Sequence, residues 1–90
     1  MDARITSIFD DADADREGVR RFAEALLQKL AEKRAQGYSG WNDPADCSIK
    51  RLEKLLAEHI SKGDPVDIGN FCMMIWNRRN PTAYRTTHGR

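Results

Sequence analysis

The 90-residue sequence predicts an all-α protein of three main helices, the second and third folded into a hairpin. Two observations carry this expectation. Apolar residues recur at helical spacing in three separate segments. The last two of these segments meet at a corner of only four residues, Lys62-Gly63-Asp64-Pro65, and so short a connection favours antiparallel helices. Gly63 accepts the left-handed conformation that closes a helix, Asp64 can cap the next one, and Pro65 suits a first helical position.

Taken in order, the chain opens with an acidic arm over residues 1–14. Ile5, Ile8 and Phe9 in this arm can pack on the core as a helical turn or an extended segment. The alternating acids from Asp10 to Asp15 do not make a calcium loop. A loop starting at Asp10 would need Gly at the sixth position and Glu at the twelfth, where Asp15 and Arg21 stand. These acids read instead as charges gathered near a helix start. Helix one is expected over 15–36, with Val19, Phe22, Leu26, Leu27 and Leu30 as its apolar stripe and Gly37 as its end.

A loop rich in glycine and aromatics spans 37–47. Trp41 within it reads either as a plug for one end of the hairpin or as a binding element on a loop. Helix two, 48–62, is capped by Asp46 or Ser48 and presents Ile49, Leu52, Leu55, Leu56, His59 and Ile60 on one side. Helix three, 64–79, carries Ile68, Phe71, Cys72 and Ile75, with Met73, Met74 and Trp76 widening the apolar face. Cys72 is expected to be a buried free thiol. Pro81 stops helix three, and 80–90 is expected to be a flexible tail.

Composition narrows the functional classes. A 40% hydrophobic and 32% charged chain of this length forms one small domain with a marginal core, and fits either a soluble helical protein with wide polar faces or one that completes its core by oligomerising. The formal net charge is only +1, yet residues 1–17 hold six acids against two arginines, and residues 77–90 hold four arginines and no acid. The charged ends are solvated tails, or docking segments for a charged partner or a neighbouring subunit. No apolar run approaches the roughly 20 residues needed to span a bilayer, and nothing reads as a signal peptide, so a reduced, cytoplasmic setting is expected. No cysteine or histidine spacing matches a zinc site, and no P-loop, GxGxxG or nucleophile elbow occurs. Helix three is acidic at its start and oily beyond it, which argues against DNA readout.

The remaining candidates lie around the corner. Glu58, Asp64 and Asp67 are oxygen ligands of the kind magnesium takes, and Glu58 can face Asp67 across a hairpin. The simpler reading makes Asp64 and Asp67 first-turn acids and pairs Glu58 with Lys54 or Lys62. Asn70 is either a buried hydrogen-bonding side chain or a ligand contact, and Gly69 permits close approach by another helix. The side formed by Phe71, Met74 and Trp76 is expected to be a self-association or partner surface. Arg78 and Arg79 are candidates for holding phosphate.

Gly40-Trp41-Asn42-Asp43-Pro44, Arg51-Leu52, and Gly63-Asp64-Pro65-Val66-Asp67-Ile68-Gly69-Asn70-Phe71-Cys72-Met73-Met74 resemble a group of small phage and prophage proteins. They are also similar to the second half of the MazG-like all-α nucleoside triphosphate pyrophosphohydrolases of phages. The resemblance covers about residues 37–77. It implies that Asp67 matches the last metal-binding acid and Asn70 the amide after it. Asp64 then stands where a Glu is expected, Glu58 matches the second acid of an earlier pair, and Leu55 replaces the first. The connection between the two helices is also shorter than in the enzymes. With that acid set incomplete, the expected function is a non-catalytic phage- or prophage-type binding protein acting on a protein partner, and itself oligomeric. Inhibition of a host defence system is one such role. The alternatives are a magnesium-dependent pyrophosphohydrolase using Glu58, Asp64 and Asp67, or an oligomer that sequesters nucleotide through Trp41, Arg78 and Arg79.

Overall fold

The computed structural model describes residues 10–81, which form three helices: α1 (Asp11–Ala35), α2 (Ile49–Lys62) and α3 (Pro65–Arg79). The expectations for the arm before Asp10 and for most of the tail beyond Asn80 fall outside the described residues. Helix α1 begins four residues earlier than the periodicity predicts. Asp10 accepts a hydrogen bond from the Asp13 N–H at 2.8 Å, and the Asp13 carboxylate accepts one back from the Asp10 N–H at 3.3 Å. This reciprocal cap satisfies two free N–H groups, so the acidic run belongs to the first turn of the helix. At the other end the Gly37 N–H donates to the Arg34 carbonyl at 2.9 Å and the Tyr38 N–H to the Lys33 carbonyl at 3.0 Å. These two bonds close the helix in a Schellman arrangement. Tyr38 stays exposed beside its own helix, with the Lys33 ammonium 5.4 Å from its ring centre.

The corner forms as its residues dictate. Gly63 has φ +81° and donates to the carbonyls of His59 and Ile60, ending α2. Asp64 caps α3 by accepting from the Val66 N–H at 2.9 Å, and Pro65 follows at the first helical position. Of the two candidates for capping α2, Ser48 is the one used, accepting from the Arg51 N–H at 3.0 Å. Helices α2 and α3 pack closely, and an ion pair between Glu53 and Arg79 ties their outer edges together.

The core is small. Leu52, Met74 and Ile75 are its buried members, and Leu30, Trp41, Cys47, Leu56, Phe71 and Met73 pack around them. Helix α1 approaches α3 and not α2, so it leans on one rod of the hairpin, with Leu30 reaching the core. The two helices approach closely at Gly69. A Cβ built there would lie 2.5 Å from Phe22 Cζ and 3.0 Å from a Leu26 methyl carbon, so the missing side chain is what lets α1 sit down. Much of the expected stripe of α1 nonetheless faces outward: Val19 is 69% exposed and Leu27 65%.

Two expectations for α3 are corrected. Cys72 is exposed, not buried. Met74 lies in the core and cannot share a surface with Trp76, which is 60% exposed. Apolar residues occupy nearly every position from Phe71 to Trp76, so spacing could not choose which side turns inward.

Replacing Gly63 by Val places a β-branched side chain at positive φ. The variant should lose about 1 kcal/mol or more of stability in urea unfolding, and an unchanged midpoint would contradict the geometry of the corner.

Candidate functional site

The polar residues singled out in the sequence divide into two groups, one at the joint between α1 and α3 and one beneath the 37–47 loop. At the joint, Asp64 caps α3 and Asp67 stands one turn further on, which brings both carboxylates to the same edge of the helix. The Lys29 ammonium of α1 lies 3.4 Å from Asp64 Oδ2 and 3.5 Å from Asp67 Oδ1. Electrostatics follow from this geometry. The Val66 N–H holds the Asp64 carboxyl below the usual carboxylate range; desolvation opposes it, and Lys29 adds to the lowering. Asp67 first, and Asp64 with it, raise Lys29 above the usual lysine range.

Asn70, one turn beyond Asp67, is 4% exposed. Its Nδ2 donates to the Leu26 carbonyl at 3.2 Å, crossing from α3 to α1. Its Oδ1 is buried without a partner among the described residues, an arrangement that costs free energy. Asn70 is therefore the buried hydrogen-bonding residue of the two readings offered by the sequence. Glu58 does not join the two aspartates. It is exposed, and among the described residues it forms no ion pair with Lys54 or Lys62. No three Asp, Glu, His or Cys side chains among the described residues gather closely enough to hold a metal ion. Two carboxylates already facing an ammonium do not fit a magnesium site, which takes oxygen ligands around the cation. Nearby, His59 Nδ1 donates to the Leu55 carbonyl at 2.8 Å, and its ring tilts against Phe71 with centroids 4.8 Å apart.

Beneath the loop, Arg78 Nη1 donates to the carbonyls of Trp41 at 2.7 Å and Cys47 at 2.6 Å. One guanidinium thus pins both arms of the loop to the end of α3, and Trp41 is packed against the core below it. Trp41 and Arg78 are brought together as structural partners, joined through a backbone carbonyl. Arg79 points the other way, to Glu53. Of the residues proposed for binding, Trp76 and Arg79 remain at the surface, in a row with Cys72 and Asn80 along the outer face of α3.

Lys29 lies outside the apolar stripe expected for helix one. A signal was present: Phe22, Leu26 and Lys29 are spaced four and three apart, so Lys29 continues the row that meets α3. Comparison with known proteins adds no name to the site, because no protein-family model matches the chain and no curated protein or solved structure is significantly similar to it.

The joint makes stability depend on pH at both ends. Asp64, with a lowered folded pKa, stabilises the fold above its unfolded value of about 4, and this is lost as pH falls through the folded value. Lys29, with a raised folded pKa, stabilises it below about 10, and this is lost as pH rises through the folded value. Lys29→Met should therefore lower the melting temperature at pH 7, with the difference from wild type shrinking near pH 2. A difference that stays constant over that range would contradict the ion-pair account. Removing the loop's pin by Arg78→Ala should cost about 2 kcal/mol in urea unfolding, since two carbonyls lose a charged donor.

Proposed function

We propose that this chain is a non-catalytic binding protein of the phage or prophage type, acting on a protein partner in the host cytoplasm. Inhibition of a host defence system is a role that suits it. The observation that supports this reading most is the engagement of Asp64 and Asp67 by Lys29. The two acids that a MazG-like enzyme would turn toward metal-bound phosphates here join two helices. Among the described residues no third acid stands beside them to complete a set of ligands that would polarise a phosphate or generate a hydroxide nucleophile.

What remains for function is surface. Trp76 is a large aromatic held outward on a rigid helix, flanked by Arg79, and this is a combination that interface centres favour. Among the described residues no helix is long and apolar enough to cross a membrane, which is compatible with a partner met in solution. The competing reading, a divergent pyrophosphohydrolase, draws on one observation: Asp64 and Asp67 do converge on a single cation, although that cation is a lysine.

Two measurements separate the readings. The binding protein should release no pyrophosphate from any nucleoside triphosphate in the presence of magnesium. Its complex with a protein partner should be lost in Trp76→Ala, a variant whose melting temperature should stay close to wild type. Magnesium-dependent turnover abolished by Asp67→Ala would establish the enzyme instead.

A further inference from the structure

Among the described residues, nothing packs on the first half of α1. The helix is 25 residues long, about 37 Å, and its contacts with the hairpin include Phe22, Leu26, Lys29 and Leu30, all in its second half or at its middle. Val19, the half-buried Ala23 and Leu27 follow one another at intervals of four, which sets them in one row. The two large members of that row are 69% and 65% exposed. Helical structure before Phe22 is supported locally by the Asp10–Asp13 cap and by the exposed pairs Asp13–Arg16, Glu17–Arg20 and Arg20–Glu24. Such pairs contribute little each, and a half-helix this polar is marginal without a packed face.

The row is complementary to itself. If a second α1 runs antiparallel with the two-fold axis beside Ala23, residue 19 of one copy faces residue 27 of the other. Val19 then meets Leu27 twice, and the small Ala23 side chains allow close approach at the centre. The charges agree with the same register. Asp13 and Asp15 near the start of α1 fall opposite Lys33 and Arg34 near its end, on both sides of the axis. A parallel pairing would instead set acids against acids and bases against bases. The antiparallel register also lays the bare half of each α1 beside the half of its neighbour that carries the hairpin.

We propose that the Val19–Ala23–Leu27 row of α1 is the interface of an antiparallel homodimer, a second copy of this chain being its occupant. This is independent of the function proposed above, because a binding protein and an enzyme can both be dimers, so either reading can fail alone. It replaces the self-association surface expected on α3, where Met74 is buried.

Sedimentation equilibrium of the full chain, at low salt and at concentrations up to about 1 mM, should give twice the 10.3 kDa chain mass. Val19→Glu combined with Leu27→Glu should return the mass to 10.3 kDa with the core intact, because both side chains are solvent-exposed in the single chain. Asp15→Lys should weaken the dimer by about tenfold or more, and adding Lys33→Asp should restore it. A wild-type chain that remains at 10.3 kDa overturns the proposal, as does a dimer indifferent to the Val19 and Leu27 changes. If the wild type is monomeric and only a chain beginning at Asp10 dimerises, the first nine residues are the occupant and the proposal fails.

Discussion

Helix α1 reaches the hairpin over a narrow front, and the Lys29 ammonium lies at one end of it between two carboxylates of α3. Along that front there are also apolar contacts at Gly69, Leu30 against the core, and a hydrogen bond donated by the Asn70 side chain to the Leu26 carbonyl. With three buried apolar residues in the core among the described residues, such a front does not rest on area alone. Directional interactions at its polar end and middle fix how α1 is rotated and how far along α3 it sits. Lys29, Leu26 and Phe22 therefore act as one row, and the exposure of Val19 and Leu27 follows from it: turning one side of α1 toward α3 turns the other toward solvent.

The same joint bears on chemistry. A carboxylate pair near a helix start can stabilise the helix end, bind a cation or hold a lysine, and all three use the same charge. Here Asp64 has two duties, capping α3 through the Val66 N–H and facing Lys29. At the far end of α3, Arg78 gathers two carbonyls of the Trp41 loop and so fixes the cap of the hairpin. The polar residues near both ends of α3 are thereby engaged in holding neighbouring elements. On the outer face of this helix, Cys72 and Trp76 are exposed and stand outside these contacts.

Local chemistry was legible in the sequence and distant partnership was not. The corner could be read because Gly63, Asp64 and Pro65 act on their own backbone within four residues. Gly69 could be read as a place of close approach, though not that Phe22 and Leu26 would approach it. The start of α1 was placed late because its cap uses two aspartates, where a Ser or Thr followed by Glu is the stronger signal. Cys72 and Met74 were assigned to the wrong sides because α3 is apolar around most of its circumference. Lys29 was missed because its partners lie 35 and 38 residues away, and nothing in the spacing of α1 names them.

The claim on which this account turns is that Asp67 serves a structural partnership with Lys29. A double-mutant cycle by urea unfolding, using Lys29→Met, Asp67→Asn and the pair together, measures that partnership directly. The account predicts that the two changes are non-additive at low ionic strength, with the double variant more stable than the sum of the singles implies, and that this coupling fades in 1 M salt. Strictly additive effects at both salt concentrations would contradict it and free Asp67 for another role.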